Sequence, residues 1–368
     1  MNVFDQIEAK DHEQVVYCFD RASGLKAIIA IHNTILGPAL GGCRMWNYQS
    51  EAEALKDALR LSRGMTYKSA VAGLNLGGGK AVIIGDAKTM KSESLFRAFG
   101  RFVQSLSGRY ITAEDVGTTV KDMEWVRMET DYVTGISRAL GGSGDPSPVT
   151  AIGVYHGMRA AMKKSFGSDS LQGRTIALQG VGQVGFYLIN HLLSAGAKVI
   201  ASDIDEERIK RAKHHYESIS FMPPSEIYDA TCDIFAPCAL GGTINSQTVP
   251  RLKAKIVAGC ANNVLANEDS DIHLLEAKKI LYVPDFVISA GGLINVSNEF
   301  EGYNRKHALA QAAGIYDIVG QLLAIAENES ISTLSAAVSM AERRIESIAS
   351  LKRTSVGRTI MERGRRKS

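Results

Sequence analysis

Residues 175–185 read Thr-Ile-Ala-Leu-Gln-Gly-Val-Gly-Gln-Val-Gly, and they carry the strongest structural signal in the chain. The apolar run Thr175–Gln179 predicts a buried strand, and the residues from Gln183 onward have the periodicity of an amphipathic helix. The glycines between them follow the pattern G-x-G-x-x-G, and an acidic residue, Asp203, lies 23 positions after Gly180. Together these features form a complete dinucleotide-binding fingerprint.

Each part of this fingerprint has a physical role. Gly180 permits the tight turn, Gly182 lets the backbone approach a pyrophosphate, and Gly185 lets helix and strand pack closely. The helix N-terminus favours the anion. Asp203 is expected to accept a hydrogen bond from the ribose 2′-hydroxyl and to repel a 2′-phosphate, and the nearest following arginine is Arg208. We therefore predict NAD rather than NADP, bound by Gly180, Val181, Gly182, Gln183, Val184, Gly185, Asp203 and Ile204.

Strand and helix patterns continue to alternate after this unit. Strands are predicted at 198–202 and near 233–236, 256–258 and 280–283, with a helix over about 206–216. This alternation predicts a doubly wound parallel sheet, whose ligands lie beyond the carboxyl ends of the strands. Cys238, Ala239 and Asn263 follow two of these strands and are placed to contact the ribose and nicotinamide. The segment after about residue 298 has a helical pattern.

The N-terminal part of the chain predicts a second α/β unit. Two strand-like runs flank a Ser23-Gly24 turn and predict a hairpin. Ser50 has the signal of a helix N-cap, and a phenylalanine stripe over 95–106 predicts a buried helix face. The Gly-, Ser- and Pro-rich stretch 141–148 predicts a hinge. We expect a substrate-binding and catalytic domain over 1–145, a Rossmann domain over 146–330 with a cleft between them, and a helical segment, 331–368, packed on the first domain.

Two lysines lie 12 residues apart in an otherwise apolar, glycine-rich segment that ends Leu-Gly-Gly-Gly-Lys at Lys80. Lys80 precedes an apolar run, Ala81–Ile84, that predicts a strand. Burial disfavours the charged form of a lysine and lowers its pKa, which is how a lysine becomes a general base near neutral pH. Lys68 keeps its charge in this interpretation and holds an anion. The alternative is two exposed lysines beside a glycine turn.

The composition is that of a soluble globular protein. Of 368 residues, 45% are hydrophobic and 22% charged, and the net charge of +3 is too small to indicate nucleic-acid binding. No apolar run was found that approaches the ~20 residues of a membrane helix, and Met1–Glu8 lacks a signal-peptide pattern. We expect a cytoplasmic enzyme with no nucleic-acid or membrane partner. The basic tail Arg363–Lys367 is interpreted as a solvated terminus.

The five cysteines are scattered along the chain and show no Cys-x-x-Cys pair or zinc-ligand spacing. We expect them to be reduced and mostly packed as small hydrophobic residues. No metal is expected.

Two further stretches accompany the lysine segment: Gly-Pro-Ala-Leu-Gly-Gly-Cys-Arg-Met-Trp at 37–46 and Thr-Ala-Glu-Asp-Val-Gly-Thr at 112–118. With them, nearly the whole chain resembles the Glu/Leu/Phe/Val dehydrogenases, which are NAD(P)-dependent amino-acid dehydrogenases. These motifs are longer and more specific than a glycine pattern alone. The resemblance implies a homo-oligomer, either a dimer or an octamer, that converts an amino acid to a 2-oxo acid and ammonia.

The resemblance also implies roles for individual residues. Lys68 would hold the substrate carboxylate, and Lys80 would activate the water that attacks an iminium intermediate. Asp115 would relay protons and hydrogen-bond the amino group, and Thr150 would lie near the nicotinamide. The implied substrate-binding set is Leu40, Gly41, Gly42, Met65, Lys68, Ala113, Asn262, Leu293 and Val296.

The implied side-chain pocket is lined by Leu40, Ala113, Leu293 and Val296, which are all apolar. A glutamate side chain would bury an unpaired charge there, so glutamate is excluded as a substrate. Ala113, where aromatic-specific relatives carry glycine, favours leucine, valine or isoleucine. Leu293 instead resembles the phenylalanine and tryptophan enzymes, which remain the alternative because one methylene discriminates by only about 1–3 kcal/mol.

Two positions depart from the family pattern. Ser289 stands where relatives usually carry asparagine, and Val264 stands where they usually carry glutamine. Both edge the ligand cleft in the family, so cofactor affinity or pH dependence is expected to differ. A second alternative is a dinucleotide sensor without catalysis, but such a protein would be expected to lose Lys68, Lys80 or Asp115, and all three are present.

Overall fold

The structure, a computed structural model, describes residues 3–300 and 302–353. The basic tail discussed above lies outside the described residues. Two β-sheets organise the chain, one built from strands within 14–114 and the other from strands within 175–282. The predicted α/β fold is confirmed.

The first sheet is mixed, with strand order β1-β2-β4-β3-β5. β1 and β2 form the predicted hairpin, β4 runs antiparallel to β2, and β3 runs parallel to both β4 and β5. The carboxyl ends of β3, β4 and β5 therefore lie at one edge of the sheet. The strands are β1 (Gln14–Asp20), β2 (Leu25–Asn33), β3 (Ala39–Trp46), β4 (Gly77–Ile84) and β5 (Tyr110–Glu114).

Four helices accompany this sheet: α1 (Val3–Glu8), α2 (Glu51–Val71), α3 (Glu93–Ser105) and α4 (Val120–Arg127). The hydroxyl of Ser50 accepts the N–H of Glu53 at 3.2 Å and caps α2, as the sequence predicted. The predicted stripe on α3 is buried, with Phe96 and Phe99 fully inaccessible to solvent. α2 extends further than its local pattern indicated, so that Lys68 lies in its last turn.

The structure places Lys80 inside β4, which begins at Gly77, whereas the sequence predicted a strand that begins after Lys80. The preceding glycines are themselves strand residues. Only glycine fits at these positions, because the neighbouring atoms leave no room for a side chain. A Cβ on Gly78 would lie 2.1 Å from the backbone nitrogen of Thr66, and one on Gly79 would lie 2.7 Å from the ring of Tyr110. The glycines bring β4 against α2 and against Tyr110.

The second sheet is parallel throughout, with order β11-β10-β9-β6-β7-β8, which confirms the doubly wound prediction. The strand order reverses between β6 and β9, where such sheets bind ligands. The strands are β6 (Thr175–Gln179), β7 (Lys198–Ser202), β8 (Ile219–Phe221), β9 (Ile234–Pro237), β10 (Ile256–Val257) and β11 (Leu281–Tyr282). The accompanying helices are α6 (Gln183–Ser194), α7 (Glu206–His215) and α8 (Glu268–Ala277).

Six further helices connect the two sheets and complete the chain. The predicted break at 141–148 runs into the first turn of α5, with Pro148 near its start. The carboxylate of Glu299 accepts the N–H groups of Gly135 at 2.9 Å and Ser143 at 2.8 Å, and so holds this connection. The helices are α5 (Ser147–Phe166), α9 (Asp285–Ile288), α10 (Gly291–Ser297), α11 (Arg305–Ala313), α12 (Ile315–Glu329) and α13 (Thr333–Arg353).

The last helices contact both halves of the chain. Within the described residues, Arg305–Glu329 has the length and apolar composition to cross a membrane, although the sequence predicted no apolar run of that length. Its side chains Val319 and Leu322 are buried, and α12 packs against α5, so this run contributes to the protein core. On α13, Arg344 donates hydrogen bonds to the carbonyls of Ala70 at 3.2 Å and Leu74 at 2.7 Å, at the end of α2.

Candidate active site

A buried ion pair joins the middle of β4 to the carboxyl end of β5 in the first sheet. Lys80 is 4% exposed, and its Nζ is 3.0 Å from Oδ2 of Asp115, which follows β5. β3 lies between the two strands that carry them. On β3, a Cβ at Gly42 would lie 2.8 Å from the Cβ of Asp115, so glycine is what lets the aspartate approach. Packing thus joins two residues that are 35 positions apart in sequence.

A second cation holds Asp115. Nε of Arg44 lies 3.0 Å from Oδ2 of Asp115, and its Nη1 lies 2.8 Å from Oδ2 of Asp57 on α2. Burial opposes ionisation of Asp115, but Lys80 and Arg44 outweigh it and hold its pKa below the usual range. Asp115 is therefore an anion at neutral pH. Sequence reasoning missed Arg44, although it lies within the quoted motif at 37–46, because both of its carboxylate partners are distant in sequence.

A carboxyl group that titrates near neutral pH adjoins this pair. Burial, together with the charges of Asp145 and Asp115, raises the pKa of Glu114 to about 7. Sequence analysis assigned it no role, because its burial and its approach to Asp145 arise only in the fold.

Lys68 faces the same site from α2. Its Nζ donates to Oδ1 of Asn262, which follows β10 in the second sheet, at 3.3 Å. Burial lowers the pKa of Lys68, Asp285 opposes that effect, and the charges of Lys80 and Asp115 are close enough to contribute. The structure thus brings Lys68, Lys80, Asp115 and Asn262 into one region between the two sheets.

Three of the four predicted pocket residues belong to one hydrophobic cluster. Leu40, Leu293 and Val296 are 1%, 6% and 9% exposed, and Met65 packs against the same cluster. A Cβ at Gly41 would be 3.4 Å from the side chain of Met65. Ala113 is buried on β5, opposite Gly42 of β3, but does not belong to that cluster. Leu40, Leu293 and Val296 therefore form an apolar wall, and contact of these residues or of Ala113 with a substrate stays a prediction.

Two glycines bring α10, which carries Leu293 and Val296, against Thr150. A Cβ at Gly291 would lie 2.8 Å from the Cα of Thr150, and one at Gly292 would lie 2.9 Å from its hydroxyl oxygen. That hydroxyl donates to the carbonyl of Pro146 at 3.0 Å, within the first turn of α5. Thr150 therefore lies next to the helix that forms the apolar wall.

The two departures from the family pattern are both buried. The Ser289 hydroxyl has no hydrogen-bond partner among the described residues. Val264 is 1% exposed and packs in a core cluster below the cleft, while its N–H donates to Asp285 at 2.8 Å. Its side chain therefore contributes packing to this loop.

A cavity of about 430 Å³ lies at the carboxyl edge of the second sheet, between the ends of β6, β7 and β9. Gly180 has a φ of +102°, and a Cβ there would be 2.7 Å from the Cβ of Ala239. At Gly185 a Cβ would be 2.3 Å from the carbonyl oxygen of Gly180, whereas at Gly182 it would meet only Arg208, at 4.0 Å. Gly182 therefore leaves its backbone open to a ligand. The lining also includes Asp203, Ile204, Arg208, Cys238 and Leu240.

Four members of the predicted cofactor set do not line this cavity. Val181 is buried in the core, and its N–H donates to Oδ2 of Asp203 at 2.7 Å. Val184 packs against the same core, and the exposed Gln183 accepts a hydrogen bond from Arg211 at 3.4 Å. Asn263, with a φ of +52°, lines a separate cavity of about 610 Å³ beside α2. The contacts of these four residues with a cofactor stay predictions.

The 430 Å³ cavity has the polar and apolar groups that a dinucleotide requires. Oε1 of Gln179 and the hydroxyls of Ser202 and Thr243 are buried without a hydrogen-bond partner among the described residues. Buried polar atoms are normally hydrogen-bonded, so a polar ligand would satisfy them. Ile204 and Leu240 are 84% and 75% exposed at the same cavity and offer apolar surface to a flat ring.

Arg208 is closer to this site than the sequence indicated. Its Nη1 lies 3.9 Å from Oδ2 of Asp203 and its Nε lies 3.4 Å from Oδ2 of Asp205. The arginine is therefore shared between two carboxylates beside the cavity. Among the described residues, no group of three or more His, Cys, Asp or Glu side chains is arranged to hold a metal ion.

In comparisons with known proteins, the residues that form both sheets match domains of one family. Residues 12–132 match the dimerisation domain of the Glu/Leu/Phe/Val dehydrogenases, and residues 141–206 and 202–345 match the glutamate/leucine/phenylalanine/valine dehydrogenase domain. The chain is 58% identical to leucine dehydrogenase from Geobacillus stearothermophilus, over 95% of this chain and 94% of that protein. It is 48% identical to phenylalanine dehydrogenase from Caldalkalibacillus thermarum, over 95% and 94% respectively. The crystal structure of L-tryptophan dehydrogenase from Nostoc punctiforme matches with a TM-score of 0.82 and 45% identity, over 95% of this chain and 100% of that one.

Proposed function

The chain belongs to the Glu/Leu/Phe/Val dehydrogenase family of amino-acid dehydrogenases, and we propose that it catalyses the reversible, NAD-dependent oxidative deamination of a branched-chain L-amino acid. The products are the 2-oxo acid and ammonia. One observation carries the proposal: the buried Lys80–Asp115 pair is close enough to Lys68 for their charges to interact, and Leu40 and Leu293 share one apolar cluster. The 58% identity to a leucine dehydrogenase supports the same reaction.

In this proposal the substrate is oriented by its two ends. Lys68 holds the α-carboxylate, because its ammonium group is already partly desolvated and gains an anionic partner. The apolar cluster receives the side chain. Orientation of this kind lowers the activation barrier of a reaction between two bound molecules. A nicotinamide held by the second domain would supply the acceptor for the hydride that leaves the amino acid Cα.

Lys80 and Asp115 provide the proton chemistry. Lys80, as a free amine, removes a proton from the water that attacks the iminium carbon. Asp115 accepts a hydrogen bond from the substrate amino group and stabilises the positive charge of the iminium. Arg44 and Lys80 keep Asp115 ionised, so it can act as an anion throughout the cycle.

Ammonia is the reactant that separates this reaction from other dinucleotide-dependent reductions. We expect 4-methyl-2-oxopentanoate to oxidise NADH only when ammonium is present, with L-leucine as the product. Following NADH absorbance with and without ammonium, and identifying the product by chromatography, tests this. NADH oxidation that needs no ammonium would indicate reduction to a hydroxy acid and contradict the proposal.

The Lys68→Ala variant should chiefly raise KM for the amino acid, with kcat also falling if the carboxylate anchor sets the geometry of hydride transfer. The reason is that the substrate carboxylate loses its cationic partner. Steady-state kinetics across a leucine series measure the change. Lys56→Ala on the exposed face of the same helix is the matched control. An unchanged KM in the Lys68 variant would show that another residue binds the substrate carboxylate.

We propose NAD as the cofactor because Asp203 would face the additional phosphate of NADP. Arg208 could attract that phosphate, but it is already paired with Asp203 and Asp205. Ile204 and Leu240 would contact the adenine, and Cys238 and Ala239 the adjoining part of the dinucleotide.

Asp203→Asn should therefore weaken discrimination against NADP, and Asp203→Ala should in addition weaken NAD binding. Asparagine keeps an oxygen that can accept the Val181 N–H but removes the negative charge. Fluorescence titration with both cofactors gives the ratio of their dissociation constants. A wild-type enzyme that prefers NADP, or a ratio unchanged in both variants, would contradict the role of Asp203.

The substrate pocket is tested by Ala113→Gly, which enlarges it without changing its charge. If Ala113 meets the end of the substrate, kcat/KM for phenylalanine should rise about tenfold relative to leucine, since small changes in apolar pockets are worth about 1–3 kcal/mol. Melting temperature is measured alongside. A constant substrate ratio with a lower melting temperature would show that Ala113 only packs the core, and would remove it from the pocket.

The remaining parts of the proposal concern the domains of the chain, its assembly and its location. We propose a substrate-binding and catalytic domain at 1–145, an NAD-binding domain at 146–330, and a C-terminal segment, 331–368, that returns to the first domain. The hydrogen bonds from Arg344 to the end of α2 support the last point. We also propose a cytoplasmic homo-oligomer, which the dimerisation domain matched by residues 12–132 favours.

A further inference from the structure

Two cysteines lie side by side at the carboxyl edge of the second sheet. β9 and β10 pair in parallel with Phe235 opposite Val257, and Cys238 and Cys260 follow directly on these two strands. The segments stay together there with a register shifted by one residue, because the N–H of the residue after Cys260 donates to the carbonyl of the residue before Cys238 at 3.0 Å. The two side chains are in hydrogen-bond contact with each other.

This arrangement is compatible with a disulfide. Neighbouring strands are about 4.8 Å apart, which is within the ~4.4–6.8 Å separation of Cα atoms in disulfides. The Sγ of Cys260 already lies 4.0 Å from the carbonyl oxygen of Cys238. Forming the bond therefore requires rotation of the side chains and little movement of the backbone.

Cys238 is also within reach of small molecules. It lines the 430 Å³ cavity beside Gly180 and Ala239. Cys238 and Cys260 are both partly exposed, whereas Cys18, Cys43 and Cys232 are buried. Thiol reactivity requires access as well as ionisation, so the pair is expected to react before the buried cysteines.

We propose that Cys238 and Cys260 form a modification site for small-molecule disulfides, which convert the two thiols into an internal disulfide in competition with the cofactor. The thiolate of Cys238 attacks one sulfur of the reagent, forms a mixed disulfide and releases one small-molecule thiol. The thiolate of Cys260 then attacks the sulfur of Cys238 and releases the second. The protein loses two electrons and two protons, and the reagent is reduced to two thiols.

The environment of Cys260 favours the second step. A hydrogen bond with Cys238, followed by burial, raises the pKa of the Cys260 thiol, while the charge of Lys68 lowers it. Once Cys238 is in a mixed disulfide, its sulfur carries no charge and is a weaker acceptor for the Cys260 S–H. The Cys260 thiolate then attacks a sulfur that is already adjacent.

Competition with the cofactor rests on the function proposed above, whereas formation of the disulfide does not. A dinucleotide in the cavity would cover Cys238. At NAD concentrations about ten times its dissociation constant, only about a tenth of the protein is free, so oxidation should slow about tenfold. The disulfide would in turn leave less room beside Gly180 and weaken NAD binding.

The experiment exposes the full-length, reduced protein to oxidised glutathione with and without NAD, and follows intact mass and disulfide-mapped peptides over time. We expect a loss of two hydrogen atoms, a bond joining the Cys238 and Cys260 peptides, reversal by dithiothreitol, and slowing by NAD. In Cys260→Ser the resolving thiol is absent, so a stable glutathione adduct should accumulate on Cys238. Peptide mapping of the wild-type protein gives the result independently of that variant.

Each outcome bears on a separate part of the inference. Persistence of five free thiols, a stable glutathione adduct on wild-type Cys238, or a bond to a buried cysteine would overturn the disulfide. A disulfide that forms equally fast with NAD would overturn the competition and leave the bond itself supported. Failure of the reduced protein to oxidise amino acids would count against the proposed function and leave the disulfide result unaffected.

Discussion

Replacement of Lys80 by alanine is expected to lower kcat by about 10²–10⁴, the range for loss of a general base. Lys80 is 4% exposed and lies 3.0 Å from Asp115. Lys68, the other lysine of this region within the described residues, approaches from α2 and donates to Asn262. The measurement is steady-state oxidation of leucine over a range of pH, together with NAD binding by calorimetry.

The folded state and NAD binding should both survive this change. Asp115 keeps its partner Arg44, so no unpaired buried carboxylate is left behind. The cofactor cavity is formed by the other sheet. Lys88→Ala, in the exposed loop after the same strand, serves as the matched control and should keep full activity. A Lys80→Ala enzyme retaining more than about a hundredth of wild-type activity would remove Lys80 as the base.

Replacement of Asp115 by asparagine should also lower kcat by about 10²–10⁴, because the substrate amino group loses its anionic partner and the proton relay is broken. The change conserves shape and removes only charge. Because Lys80 and Arg44 hold the pKa of Asp115 below its usual range, the wild-type carboxylate is charged at neutral and alkaline pH. We therefore expect the loss of kcat to be of similar size across that pH range.

Asp57→Asn is the matched control for Asp115→Asn. Asp57 holds the opposite end of Arg44 at 2.8 Å, and its other side-chain partners are Arg60 and Tyr48. Asp57→Asn should therefore lower kcat much less than Asp115→Asn. If the two variants lower kcat alike, Asp115 acts only by fixing Arg44, and its proposed contact with substrate would be wrong.

The dinucleotide-binding unit was the most predictable part of the fold. The strands at 175–179 and 198–202 have the predicted bounds, and α6 begins at Gln183 as expected. Local signals are complete there, since an apolar strand, a glycine turn and an amphipathic helix follow each other directly. β9, β10 and β11 were also located, because each is a short apolar run between polar segments, whereas the three-residue strand β8 (Ile219–Phe221) was missed.

The catalytic region was less predictable because its geometry comes from packing between distant segments. Glycine usually indicates a turn, so the run before Lys80 was interpreted as the entrance to a strand. In the structure the contacts of Gly78 with Thr66 and of Gly79 with Tyr110 require glycine within the strand. The sequence contained no sign of these contacts. The hydrogen bond between Arg44 and Asp115 could not be predicted for the same reason, because the two residues are 71 positions apart in sequence.

Substrate choice depends on still finer differences. The family motifs identify an amino-acid dehydrogenase, and the apolar cluster of Leu40, Leu293 and Val296 agrees with an uncharged side chain. Ala113 favours a branched-chain substrate, whereas Leu293 resembles the residue of the phenylalanine and tryptophan enzymes. Neither periodicity nor burial separates a branched-chain from an aromatic substrate. Only the relative transition-state binding of the two substrates can do so.

The most direct test is to compare kcat/KM for L-leucine, L-phenylalanine and L-glutamate with NAD, following formation of reduced nicotinamide. We expect leucine to be the best of the three, by about tenfold or more over phenylalanine, and glutamate to give no measurable turnover because its second carboxylate would be buried without a partner. Reduction of NAD that is faster with phenylalanine would assign the enzyme to aromatic substrates. No reduction with any amino acid would contradict the proposed function altogether.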